Sequence, residues 1–164
     1  KDYRNILNQL REESPWASLG ADIIVGFPGE SDDDFEQTSS FLEHSPLTYF
    51  HVFTYSPRPG TEASSWSEVE GKVKRKRAFF LRELSKRKNS NFRQLFIGKE
   101  CEAIVIKKEK EKTEVLTSNY FKVSVPYCPY DEREEVRVRI IKVNSGTTAG
   151  EIVGVPKAAC LRNT

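Results

Sequence analysis

Two stretches combine residue types and spacing that could hold a small molecule: Gly26-Phe-Pro-Gly-Glu30 and Tyr55-Ser-Pro-Arg-Pro-Gly-Thr61. Each directly follows an apolar, β-branched run, so each reads as the turn at the C-terminal end of a strand, where α/β folds build their ligand sites. Glycines in such a turn let a ligand approach the main chain. Gly26, Phe27, Pro28, Gly29 and Glu30 are therefore candidate cofactor-binding residues, with a tight turn and no ligand as the competing reading. Arg58 is the one strong cation of the second stretch. A fixed guanidinium suits a carboxylate or phosphate of a substrate or cofactor, and an ordinary surface turn accounts for it equally well.

Other chemistry is sparsely supplied. Asp32, Asp33 and Asp34 cannot all point at one ion from a helix, so they read as an acidic helix start, where the dipole favours anions. His44 and His51 are isolated and form no ligand pair. Cys101, Cys128 and Cys160 are odd in number and far apart, matching no disulfide framework and none of the close spacings that bind zinc or iron–sulfur clusters. All three read as ordinary, partly buried thiols. Neither a catalytic residue nor a metal site is expected within the chain.

A different chemistry resides in the cations. Lys and Arg total 26 against 24 Asp and Glu. They are segregated, with 4 basic and 11 acidic residues in 1–65, 10 and 3 in 66–98, and 10 and 10 in 99–154. Between 72 and 93 ten cations accompany one acid, Glu83. Solvated helix faces normally mix signs, so this run points to a polyanion, nucleic acid above all. Arg75, Lys76, Arg82, Lys86 and Arg87 are its candidate contacts. Tyr120, Lys122, Arg137 and Arg139 form a second candidate RNA surface, because an aromatic among cations can stack on bases and clamp phosphates. An ordinary exterior, with Glu134 and Glu135 nearby, is the alternative there.

The elements that must position these residues follow from periodicity. Tyr3, Ile6, Leu7 and Leu10 sit at helical spacing in a helix over 3–13. A short buried strand is expected over 23–26, and Ser31 with Asp34 starts a helix whose inner face is Phe35, Thr38, Phe41 and Leu42. A strand over 47–54 completes a right-handed βαβ unit, which sets the two turn stretches side by side at one sheet end. A long helix runs from 67 to about 96, with a broken apolar stripe of Val73, Phe80, Leu81, Leu84, Phe92, Leu95 and Phe96. Strands at 100–107, 112–118, 120–126, 135–144 and 147–155 suggest a small closed barrel. In it Phe121, Val123, Val125, Val136, Val138 and Ile140 face inward. The expected division is 1–65, 66–93, 94–155 and a tail, 156–164.

No stretch approaches the roughly 20 apolar residues of a membrane span, and nothing resembles a signal peptide, so a cytoplasmic location is expected. The chain contains no methionine and begins at Lys1. It is expected to be a piece of something longer.

In order, Ala21-Asp-Ile-Ile-Val-Gly-Phe-Pro-Gly-Glu30, Phe50-His-Val-Phe-Thr-Tyr-Ser-Pro-Arg-Pro-Gly-Thr61, the basic helix and Thr117-Ser-Asn-Tyr-Phe-Lys-Val123 resemble the C-terminal half of radical S-adenosylmethionine tRNA methylthiotransferases. The resemblance covers nearly the whole chain. It implies an α/β partial barrel, the last βα units of a radical SAM TIM-like barrel, followed by the basic helix and a five-stranded, OB-like TRAM domain. It also implies methylthio insertion into an adenosine beside the tRNA anticodon, using S-adenosylmethionine and two 4Fe-4S clusters. Gly26 to Glu30 would wall the S-adenosylmethionine site, and TRAM would grip the tRNA anticodon stem-loop. His51-Val-Phe-Thr-Tyr-Ser and Asn119-Tyr120 look most like the threonylcarbamoyladenosine subgroup, with the isopentenyladenosine subgroup close behind. The branch that modifies ribosomal protein usually lacks Arg58-Pro-Gly60.

This sequence departs from the family in lacking the Cys-x₃-Cys-x₂-Cys of radical SAM chemistry and the other cluster cysteines. The cluster ligands would lie outside the chain, leaving it inert alone. A barrel cut to its last strands would expose a sheet edge and favour self-association. Two other readings remain: a stand-alone RNA-binding module without catalysis, and a radical SAM protein whose TRAM domain binds a protein.

Overall fold

Ser31 and Asp34 do what their spacing predicts. In this computed structural model, which describes residues 2–126 and 128–156, the Ser31 hydroxyl accepts the Asp34 amide at 3.1 Å. The Asp34 carboxylate accepts the Ser31 amide at 3.0 Å, closing a capping box on helix α2 (Asp32–His44). Those hydrogen bonds hold the Asp34 carboxyl below the usual aspartate range. The chain divides into two units, Lys1–Asn89 and Ser90–Thr164.

In the first unit, α1 (Asp2–Glu13), β1 (Gly20–Val25), α2 and β2 (Tyr49–Thr54) precede a short 3-10 turn at Glu62–Ser65 and most of α3 (Gly71–Gln94). β1 and β2 pair in parallel from Gly20↔Tyr49 to Val25↔Thr54, the strand–helix–strand arrangement expected. Leu7, Val25, Leu42, Leu47, Phe50 and Val52 pack with Ala78, Leu81 and Leu84 of α3. The Leu19 and Val25 carbonyls bond to the Tyr49 and Tyr55 amides. Backbone groups of that parity therefore face β2, while Gly20, Asp22 and Ile24 present theirs to the outer edge of β1, which has no strand neighbour among the described residues. The outer edge of β2 is covered by α3. The Ser85 hydroxyl accepts the Phe50 amide and donates to its carbonyl, both at 2.8 Å, and Arg82 donates to the Val52 carbonyl at 3.1 Å.

Several expectations need correction here. The first strand is buried on one face only: Val25 and Gly26 are enclosed and Ile23 is half-buried against the core, whereas Ile24 is 61% exposed because no layer among the described residues packs on the opposite face. The α1 stripe is likewise open apart from Leu7, with Tyr3, Ile6 and Leu10 exposed. Thr38 lies outside the α2 contact, which Phe35, Phe41 and Leu42 make. The long helix begins at Gly71, not 67, and Phe80 and Leu95 of its stripe are exposed.

The second unit is a closed barrel of β3 (Glu100–Lys108), β4 (Thr113–Thr117), β5 (Lys122–Val125), β6 (Glu135–Val143) and β7 (Thr148–Gly154), in the order β3-β4-β5-β7-β6. Pairing is antiparallel except at β5 and β7, which meet in parallel at Ser124↔Ala149. The six residues expected to face inward are all buried. Phe92 and Phe96, at the end of α3 and just beyond it, plug the barrel edge-on to Phe121, with ring centroids 5.7 and 5.0 Å away. Arg93 is buried and donates to the Thr148 hydroxyl at 2.8 Å and to the Asn144 and Ser145 carbonyls. Tyr120 is not part of a strand as expected; it belongs to the β4–β5 loop. Cys101 is half-buried and Cys128 buried, while Cys160 and nearly all of the expected tail lie outside the described residues.

Candidate functional site

The two turn stretches meet at the C-terminal end of the parallel pair and enclose a cavity of about 520 Å³. Asp22 and Ile24 from β1, Thr54 from β2, Phe27 from the first turn, and Tyr55 and Arg58 from the second line it. Phe27 stands edge-on to Tyr55 at 5.1 Å and to Trp66 at 6.0 Å. The Tyr55 hydroxyl is buried and has no hydrogen-bond partner among the described residues, so the wall holds a polar group that a bound molecule could satisfy. Arg58 enters no salt bridge among the described residues.

Of the expected cofactor-binding residues, only Phe27 lines this cavity. Gly26 has φ of +72°, and an added Cβ would run into the Lys74 stem. Gly29, at φ +84°, has open space around it. The turn itself demands both glycines. The Glu30 carboxylate is spent internally, accepting the Gly26 amide and lying 3.3 Å from Arg77. Arg77, 5% exposed, also donates to the Glu30 carbonyl at 3.1 Å and to Asp32 at 2.7 Å. Asp22, Ile24, Phe53 and Thr54 line it from outside the two turn stretches, and sequence reasoning misses them. An aspartate inside an apolar strand run was the available signal for the first of them.

The α3 cations divide into two groups. Arg77 and Arg93 are buried structural clamps. Lys74 pairs with Glu68 at 2.6 Å, Arg87 with Glu43 at 2.6 Å and Lys86 with Glu83 at 2.7 Å. Lys88 donates to the Glu43 and Ser45 carbonyls at the end of α2, and burial lowers its pKa. The repulsion that suggested a polyanion is thus partly relieved by the acidic residues of 1–65. Arg75 and Lys76 are exposed with no ion pair among the described residues. Lys86 and Arg87 are 65% and 59% exposed in their pairs, and such surface pairs exchange partners at little cost.

On the barrel, Tyr120 and Lys122 are exposed. Arg137 and Arg139 are paired to Glu100 at 3.2 and 2.7 Å, and Arg139 also to Glu151 at 3.1 Å. No group of three or more His, Cys, Asp and Glu could hold a metal ion among the described residues. Burial raises the Cys101 pKa, keeping it a thiol. No described helix is long and apolar enough to cross a membrane.

No family model matches the chain. It is 39% identical over 124 residues, 75% of its length, to the threonylcarbamoyladenosine tRNA methylthiotransferase MtaB of Aquifex aeolicus, covering 29% of that protein. It is 34% identical over 157 residues to a tRNA-2-methylthio-N(6)-dimethylallyladenosine synthase of Fervidobacterium nodosum, covering 93% of the chain and 36% of that protein. A probable threonylcarbamoyladenosine tRNA methylthiotransferase of Pyrococcus horikoshii is 30% identical over 156 residues, with coverage of 93% and 36%. The chain spans about a third of the length of these curated relatives.

Proposed function

We propose that this chain, homologous over most of its length to the tRNA methylthiotransferase family, is a segment of such an enzyme that supplies part of its cofactor pocket and its grip on tRNA. The observation that carries the reading is the cavity in which Phe27, Tyr55 and Arg58 meet, within a chain whose relatives bear that name. In this reading the first unit is the end of a radical SAM barrel and the second a TRAM domain. The reaction is methylthio insertion into an adenosine next to the anticodon, with N6-threonylcarbamoyladenosine as substrate. Relatives named for dimethylallyladenosine make that nucleoside the rival substrate. The cytoplasm is the location such a reaction implies.

The residues present fit S-adenosylmethionine. Phe27 offers an aromatic wall to an adenine, Arg58 a partner for the methionyl carboxylate, Asp22 a partner for the ammonium, and Tyr55 an unsatisfied hydroxyl. Bound there, and cleaved by one electron from an iron–sulfur cluster held outside the described residues, S-adenosylmethionine would supply the radical that activates the target carbon. The chain's own task is to orient it. The described residues do not fit either 4Fe-4S cluster, since Cys101 and Cys128 are the only cysteines among them and belong to no ligand group. Their ligands are assigned to the rest of the enzyme.

Trp66, edge-on to Phe27, reports on the cavity. In a Trp16→Phe background, S-adenosylmethionine should change Trp66 fluorescence saturably, and Arg58→Ala should weaken that response at least about tenfold, as loss of a charge-assisted bond predicts. A flat titration would contradict the cofactor-wall role. The second reading, a stand-alone RNA-binding module, is favoured by the closed barrel and predicts RNA binding with no response to S-adenosylmethionine.

A further inference from the structure

The outer face of the barrel carries a separate cavity of about 360 Å³. Its floor follows from strand register: Ile104 lies opposite Leu116 on one side and Glu135 on the other, and Leu116 lies opposite Lys122. One row across four strands therefore reads Lys122, Leu116, Ile104, Glu135. In the next row Glu102 lies opposite Arg137. The cavity has an apolar floor, two carboxylates on its wall and cations at its margins. Unlike Glu100, neither Glu102 nor Glu135 enters an ion pair among the described residues.

Tyr120 stands at the rim. The loop Ser118-Asn119-Tyr120 is closed by the Thr117 amide on the Phe121 carbonyl and the Tyr120 amide on the Thr117 carbonyl, each at 2.9 Å. This puts Tyr120 at φ +61°, the left-handed position that such three-residue loops normally give to glycine. A bulky residue there costs stability. Its ring gains little from the fold in return, being 79% exposed.

We propose that this cavity takes one unstacked guanine of an RNA chain; the inference rests on the reading of the barrel as an RNA grip and deepens it. Tyr120 supplies the stacking face, Ile104 and Leu116 the apolar floor, and the Glu102 and Glu135 wall the acceptors. Guanine alone offers two adjacent donors, N1–H and the 2-amino group, that one carboxylate accepts together. Adenine and cytosine set a ring nitrogen acceptor beside their single amino group, and uracil flanks its N3–H with two carbonyls. Each would place a lone pair against a carboxylate. Lys122 and Arg137 flank the cavity where the adjoining phosphates run.

The test is fluorescence anisotropy of the full chain with labelled uridine hexamers carrying one central G, A, C or inosine, at low salt. The G hexamer should bind about tenfold tighter than the A or C hexamer, the discrimination of one bidentate pair, and inosine, lacking the 2-amino group, should lose several-fold. Glu102→Gln with Glu135→Gln should erase the preference, bringing the G and A hexamers to the same affinity. Tyr120→Gly should weaken the G hexamer about tenfold while its melting temperature holds or rises, a combination that a structural tyrosine would not give. Equal affinity for all four hexamers overturns the guanine site and leaves the RNA grip standing. Failure of every hexamer and of tRNA to bind overturns the grip itself, and the guanine site with it.

Discussion

Arg75 and Arg77 are two residues apart in a run of identical chemistry, and they have opposite environments. Arg77 is buried against Glu30, Asp32 and the Phe35 ring, 5.3 Å from its guanidinium, whereas Arg75 is exposed. Arg77→Ala removes a buried charge and strands the Glu30 carboxylate, so it should destabilise the first unit by about 3 kcal/mol. Arg75→Ala should change stability by about 0.5 kcal/mol or less and weaken tRNA binding. Denaturant unfolding of both variants with tRNA titration checks this, and equal destabilisation would contradict the division. Charge counting could not separate the two residues, because the acids that pair with Arg77 come from 47 and 45 positions earlier. The helical period could, since Arg77, Ala78, Leu81, Leu84 and Ser85 share one face.

At the scale of elements, the two edges of the parallel pair are treated differently. α3 caps the outer backbone groups of β2 through Ser85 and Arg82, and β1 is left open. We expect the isolated chain to associate with a second copy through β1 in a concentration-dependent way. Ile24→Pro removes an outward amide, so it should give a folded monomer. Ile23→Pro removes one that faces β2 and should disrupt the unit. Sedimentation velocity with circular dichroism distinguishes them, and a wild-type chain that stays monomeric at high concentration would contradict edge pairing. Alternation and cap chemistry made most elements legible in the sequence: the capping box and the six inward barrel residues lie where the pattern puts them, while the first parallel strand starts at Gly20, three residues before the expected run. The capped edge did not, because a serine and an arginine on a basic helix carry no sign of the backbone they will cover. Tyr120 escaped for a related reason: alternation placed it on a strand, and only the loop closure reveals its left-handed backbone.

At the scale of the molecule, the charge segregation of the sequence has two consequences. Part of the basic segment folds onto the acidic one, and Arg75, Lys76, Lys86 and Arg87 stay exposed. The site was legible as two turn stretches at one sheet end, but its lining was not. Of the five residues read as cofactor contacts only Phe27 lines the cavity, and Asp22, Ile24, Phe53 and Thr54 join its wall from the strands, where a short apolar run gives no sign of which side chains face a ligand. The central claim, that the chain carries the tRNA grip of a methylthiotransferase, is tested most directly by its affinity for tRNA as a function of salt. If Arg75, Lys76, Lys86, Arg87 and Lys122 each meet a phosphate, log K should fall by about 3.5 to 4.5 per tenfold rise in salt, at about 0.7 to 0.9 per contact. An affinity that is flat between low and moderate salt would contradict the account.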